Sequence, residues 1–162
     1  MFERILMPNS YTQIYIHIVI VVKFRDALLR TPFRIKLQKY ITGIIQNRGH
    51  KLIVINGMPD HVHILIGYNP AQGLADLVRD IKSNSTKMIN EERWFKVKFQ
   101  WQGGYGAFSY SKSEIGRVIK YIEKQQEHHS VKSFKKEYLE FLEEYDIEYE
   151  EKYLFNFKLE DN

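Results

Sequence analysis

Two hydrophobic rhythms alternate along the chain, and their order predicts its architecture. Over residues 14–23 the even positions Ile14, Ile16, Ile18, Ile20 and Val22 are aliphatic, while the odd ones run Tyr15, His17, Val19, Val21, Lys23. That period of two, with its β-branched content, predicts a strand whose even side faces a core. His17 falls on the less buried side, where a hydrogen-bonded structural role is expected of it. Thr31-Pro32 reads as a helix start, with Thr as N-cap and Pro in the first helical position. Phe33, Leu37, Tyr40, Ile41, Ile44 and Ile45 then share one stripe, and Asn47-Arg48-Gly49 ends the helix. A second strand is expected over 51–56, a turn over 57–60, and a third strand over 61–68. The helix expected over 73–92 turns Leu74, Leu77, Val78, Ile81, Ser85, Met88 and Ile89 inward.

Strand character returns over 97–110, where Gly103, Gly104 and Gly106 suggest a bulge or a close backbone approach. Its aromatics either stack bases or fill a core edge. A helix over 111–127, capped by Ser111 or Ser113, buries Ile115, Val118, Ile119 and Ile122. Another helix over 133–144 leads into an acidic, aromatic tail. Strand–helix–strand–strand–helix–strand is the split βαβ plan of a ferredoxin-like or RRM-like α+β fold. Its antiparallel sheet carries both helices on one face and leaves the other open for a ligand. Parity puts Val62, Ile64 and Ile66 under the helices and His17, His61 and His63 on the open face. Residues 1–130 are expected to form the body, with the C-terminal helix and tail of 131–162 packed on the same domain.

The 162 residues suit one domain with a sizeable core, and 44% hydrophobic with 14% aromatic content excludes a disordered chain. Without cysteine there are no disulfides or thiolate metal sites, and a cytoplasmic setting is expected. No signal-peptide pattern opens the sequence, and the apolar run at 14–22 is too short to span a membrane. The net charge of +4 conceals an asymmetry. Residues 1–136 carry 22 Lys/Arg and 10 Asp/Glu, whereas 137–162 carry 2 and 10. A basic body suits a polyanionic partner, and the acidic end is expected against that body or a second subunit.

Chemistry enters at Pro59-Asp60-His61-Val62-His63. Side chains two apart on a strand share a face, about 6–7 Å apart. Both imidazoles can thus meet one ion or one phosphate, although a pair of hydrogen-bonded histidines has the same spacing. On the 111–127 helix, Tyr121 and Gln125 project one above the other from a flank of the apolar stripe, and Arg117 and Lys124 lie outside them as candidate phosphate contacts. A tyrosine so placed is ordinarily packing; only together with the histidine pair does it become a candidate for chemistry. Lys82, Asn84 and Lys87 on the outer side of the second helix are candidate phosphate contacts. A zinc protease lacks its H-E-x-x-H here, and a two-histidine phosphoesterase lacks its second His-x-Thr/Ser motif. His128-His129 point about 100° apart on a helix and chelate poorly. A non-catalytic RRM-like binder explains fold and charge but not Tyr121 with Gln125.

Three blocks together resemble the single-tyrosine HUH transposases, the small transposase-A proteins of the simplest bacterial insertion sequences. They are Pro59-Asp60-His61-Val62-His63, Trp101-Gln102-Gly103-Gly104-Tyr105-Gly106-Ala107-Phe108-Ser109, and the stretch from Tyr121-Ile122-Glu123-Lys124-Gln125 to His129. The resemblance implies that His61 and His63 are metal ligands, Gln125 the third protein ligand and Tyr121 the nucleophile. It implies one Mg²⁺ or Mn²⁺ per site, a 5′-phosphotyrosine intermediate, and single-stranded DNA with subterminal hairpins as substrate. It also implies a homodimer in which the tyrosine helix of one subunit can complete the other's site. A domesticated relative that processes repetitive hairpins would carry the same residues. The acidic tail, in either case, is a candidate cover for the site until DNA arrives.

Overall fold

The computed structural model describes residues 10–23, 28–128, 133–144, 146–150 and 154, without the side chains of residues 127 and 128. His129 and most of the acidic tail lie outside them. The elements are β1 (Tyr15–Val21), α1 (Phe33–Asn47), β2 (Lys51–Met58), β3 (His61–Gly67), α2 (Leu74–Glu91), β4 (Gly106–Tyr110), α3 (Ile115–Glu123), α4 (Gln125–His128) and α5 (Phe134–Glu144).

The four strands form one sheet in the order β2-β3-β1-β4, antiparallel throughout, as the split βαβ plan requires. Parity decides which side chains meet the helices. Ile18, Ile20, Val22, Val62, Ile64 and Ile66 join Leu37, Ile41 and Ile45 of α1 and Leu77, Val78 and Ile81 of α2 in the main core. Each fully buried aliphatic side chain there contributes about 1.5–3 kcal/mol.

Local expectations shift at four places. Pro32 takes the cap position of α1, and the Thr31 hydroxyl accepts a hydrogen bond from Arg34 instead of capping the helix. β2 runs on to Met58, so the turn into β3 is Pro59-Asp60 alone. In the glycine-rich segment only Gly106–Tyr110 is a strand, while Trp101 makes an isolated bridge to Val22. The helix expected over 111–127 is broken. Ser111 heads a capping box with Glu114, α3 ends at Glu123, and α4 restarts at Gln125 after Lys124.

The larger correction concerns the open face, which is covered. Val19, Val21 and Phe108 pack beneath Phe134, Tyr138 and Leu142 of α5. Leu65 packs beneath Val118 and Ile122 of α3. The sequence explains both covers: Val19, Val21, Leu65 and Phe108 are apolar and would otherwise face water on the second side. Gly106 permits the α5 contact, because a Cβ there would stand 2.8 Å from the Tyr138 hydroxyl.

Candidate active site

Cross-strand register brings three histidines to the α5-covered face. Val21 stands opposite His61, Val19 opposite His63, and His17 opposite Leu65 on one side and Phe108 on the other. His17, His61 and His63 are 0%, 1% and 0% exposed, so the expectation that they lie open is corrected for all three. Burial makes their orientation specific. His61 Nδ1 lies 2.6 Å from Asp60 Oδ1, and His63 Nδ1 lies 2.8 Å from His17 Nε2. Each imidazole of the pair therefore commits Nδ1 to a neighbour, the arrangement in which Nε2 serves as a ligand atom. The two rings sit 5.1 Å apart at 78°.

The tyrosine helix is fastened beside them through Asn56, the cross-strand partner of His63. Asn56 Nδ2 donates to the Ile122 carbonyl at 2.9 Å and to Gln126 Oε1 at 3.1 Å, while Gln126 Nε2 donates to the Gly57 carbonyl. These bonds tie the α3–α4 junction to β2. They hold Tyr121 edge-on to His63, with ring centroids 5.9 Å apart. Gln125 is fully buried, donates to the Tyr121 carbonyl at 3.4 Å, and interacts with both His63 and the Tyr121 side chain. His61, His63, Tyr121 and Gln125 thus converge within one chain, at the spacing the sequence suggests.

α5 occupies the remaining side. Its residues 134, 137 and 141 fall on one stripe and reach three parts of the site. The Phe134 ring stacks on His61 with centroids 4.0 Å apart, and Phe141 packs edge-on to Tyr121 and His17. Glu137, 5% exposed, brings Oε1 to 3.4 Å from His63 Nε2. Burial lowers the His63 pKa despite this carboxylate, and lowers that of His17 further. Burial first, and then the Glu137 charge, push the Tyr121 phenol far above its ordinary value near 10. In this arrangement the phenol keeps its proton.

Among the described residues, no cluster of three or more His, Asp or Glu is placed to hold a metal ion. The residues that could hold one are instead His61 and His63, through their imidazoles, and the Gln125 amide. The buried Nε2 atoms, with Nδ1 held from behind on both rings, fit a divalent ion such as Mg²⁺ or Mn²⁺.

Known proteins share this fold. The model of the family described as "Transposase IS200 like" matches residues 10–125, which include His17, His61, His63, Tyr121 and Gln125. The chain belongs to the IS200-like transposases. Among its relatives is the ISDra2 transposase TnpA of Deinococcus radiodurans, 28% identical over 120 residues that cover 70% of this chain and 84% of that protein. A crystal structure of a candidate transposase from Deinococcus radiodurans superposes with a TM-score of 0.58 at 23% identity, covering 74% of this chain and 96% of the other. A REP-associated tyrosine transposase bound to a REP hairpin superposes with the same TM-score at 16% identity, covering 76% and 73%. As a member of this family the chain is a transposase, an enzyme that cuts and transfers DNA.

Three partners in this transposase's site carried no functional expectation. Asp60 reads as a turn residue, Asn56 as the end of a strand, and Glu137 as one more acid in an acidic end. Glu137 did leave a signal: it sits between Phe134 and Phe141 on the apolar stripe of its helix, where a carboxylate is costly unless paired. The expected phosphate contacts divide. Lys82 is half-buried and donates to the carbonyls of Gln102 and Gly104, pinning the glycine loop. Asn84 caps back onto the Asp80 carbonyl. Lys87, Arg117 and Lys124 are exposed, with Arg117 held at 3.0 Å by Glu114. Lys82→Ala is therefore expected to cost about 1–2 kcal/mol of stability in thermal melts. Lys87→Ala should leave the melt unchanged and act only on DNA affinity and its salt slope. Equal melting of the two variants would contradict that division.

Proposed function

We propose that this transposase cleaves and rejoins single-stranded DNA at the ends of an insertion sequence through a covalent link to Tyr121. The observation that carries the reading is the edge-on approach of Tyr121 to His63, with Gln125 buried against both. His61, His63 and Gln125 would hold one Mg²⁺ or Mn²⁺. When bound, that ion supplies Lewis-acid polarisation of the scissile phosphate.

The other steps belong to the chain. The phenolic oxygen of Tyr121 attacks phosphorus as its proton leaves, and the bond from phosphorus to the 3′-oxygen breaks. That oxygen takes up a proton and departs as a free 3′-hydroxyl. The product is a 5′-phosphotyrosine, so one phosphodiester replaces another and no external energy source is needed. A later 3′-hydroxyl reverses the step on a new strand. A tyrosine serves here because its link remains a diester of similar energy.

With Phe134 stacked on His61 and Glu137 at His63, α5 lies where the scissile phosphate would sit, so α5 must move aside for the strand. Re-exposing Phe134, Tyr138 and Leu142 costs roughly 1.5–3 kcal/mol each, so DNA contacts elsewhere must supply the difference. Lys87, Arg117 and Lys124 are the cations we assign to that task. The homodimer with exchanged tyrosine helices would have to lift α3 from its own Leu65, Ile53 and Val54, contacts that favour a site completed within one chain.

The test is a denaturing gel after incubation of protein, Mn²⁺ and labelled hairpin-bearing single-stranded DNA. A covalent adduct is expected that requires the metal and is lost with chelator. Equal reaction with fully duplex DNA would argue against the strand preference, and absence of any adduct against the reading itself.

A further inference from the structure

His17 is a polar ring in an apolar wall. It is fully buried, with Phe108, Tyr110 and Phe141 around it at centroid distances of 6.0, 6.2 and 5.6 Å. Its one hydrogen bond among the described residues runs from Nε2 to His63 Nδ1 at 2.8 Å, and the two rings stack 5.1 Å apart at 28°. Its other nitrogen, Nδ1, is buried with no hydrogen-bond partner among the described residues. A buried polar atom left unsatisfied costs about 1–3 kcal/mol, which a phenylalanine or leucine here would avoid. The imidazole therefore carries a cost to the fold, and among the described residues its polar contact is to His63.

We propose that His17 is a positioning residue that orients His63 for a divalent cation. The inference rests on the metal reading given above. A cation takes the lone pair of His63 Nε2, which requires the His63 proton to sit on Nδ1, and His17 Nε2 is the acceptor placed to receive it. The bond joins β1 to β3 across the middle of the sheet, so the ring is fixed by two strands. His61 has the equivalent device in Asp60, taken from its own turn. A metal site built on paired imidazoles thus receives one anionic and one neutral orienting partner. The neutral partner suits His63 because the Glu137 carboxylate already stands at its other nitrogen. A second acid behind His63 would add unpaired negative charge to a dry face.

The experiment compares Mn²⁺ binding by calorimetry for the wild-type chain, His17→Phe and His17→Gln, with metal-free melts of each. Glutamine can place an amide oxygen near the position of Nε2, whereas phenylalanine fills the space without an acceptor. We expect His17→Phe to bind Mn²⁺ 10–100-fold more weakly while melting no lower than wild type, and His17→Gln to recover affinity to within about threefold. His17→Leu makes the same comparison if the phenylalanine variant does not fold. Unchanged affinity in the phenylalanine or leucine variant would overturn the assignment while leaving the metal site intact. Equal weakening in the glutamine variant would also overturn it, since ring shape would then matter instead of an acceptor. No Mn²⁺ binding by the wild-type chain would overturn the metal reading and this inference with it.

Discussion

Tyr121→Phe is expected to reduce the covalent DNA adduct by at least about a thousandfold, to below detection, while hairpin affinity stays within twofold of wild type. The substitution removes one oxygen and keeps the ring that packs on His63 and Phe141. The phenol oxygen also interacts with Glu137 and Gln125, so a melt lower by roughly 1–2 kcal/mol is expected, the cost of those contacts. Because the ring packing is kept, loss of the adduct reports on the oxygen alone. Retention of the adduct in the phenylalanine variant would remove Tyr121 from the reaction.

Glu137→Gln is expected to have the opposite effect. At limiting Mn²⁺ it should accelerate adduct formation by about tenfold and tighten Mn²⁺ binding by a similar factor. Glu137 acts on two partners at once: it stands at the nitrogen of His63 that a cation would use, and it adds to burial in pushing the Tyr121 phenol up. Glutamine keeps the size and removes the charge. The expected tenfold corresponds to about 1.4 kcal/mol, modest beside the apolar contacts of α5 that remain. Those contacts should keep the variant folded and keep the gain limited. A fall in activity instead would mean that the carboxylate takes part in the reaction, as ligand or base, after α5 has moved.

The sequence and the structure agree where periodicity and register decide the outcome. The even face of β1 and the matching face of β3 lie under α1 and α2 because a one-residue slip would turn every aliphatic side chain to the wrong side. The same parity that buries Ile18 and Ile64 groups His17 with His61 and His63. Tyr121 and Gln125 were legible because helical spacing survives the break at Lys124. The cover on the second face was not legible as a whole. Its components, Val19, Val21, Leu65 and Phe108, lie on three strands, and only pairing shows that they form one apolar surface that needs α3 and α5. Polar connections across long sequence gaps were hidden for the same reason. Asn56 reaches Gln126 over seventy residues and Glu137 reaches His63 over seventy-four, and neither spacing has a periodic signature. Lys82 shows the reverse error, where an exposed-looking cation on a polar helix face is spent on the carbonyls of a glycine loop.

The most direct test identifies the atom that carries the DNA. Wild-type protein would be incubated with Mn²⁺ and hairpin-bearing single-stranded DNA, digested with nuclease and protease, and its nucleotide-bearing peptide sequenced by mass spectrometry. Fragment ions should place a 5′-phosphate on the Tyr121 oxygen. A nucleotide on Tyr110 or Tyr138, or on no side chain at all, would contradict the convergence of His61, His63, Gln125 and Tyr121 as the reacting centre.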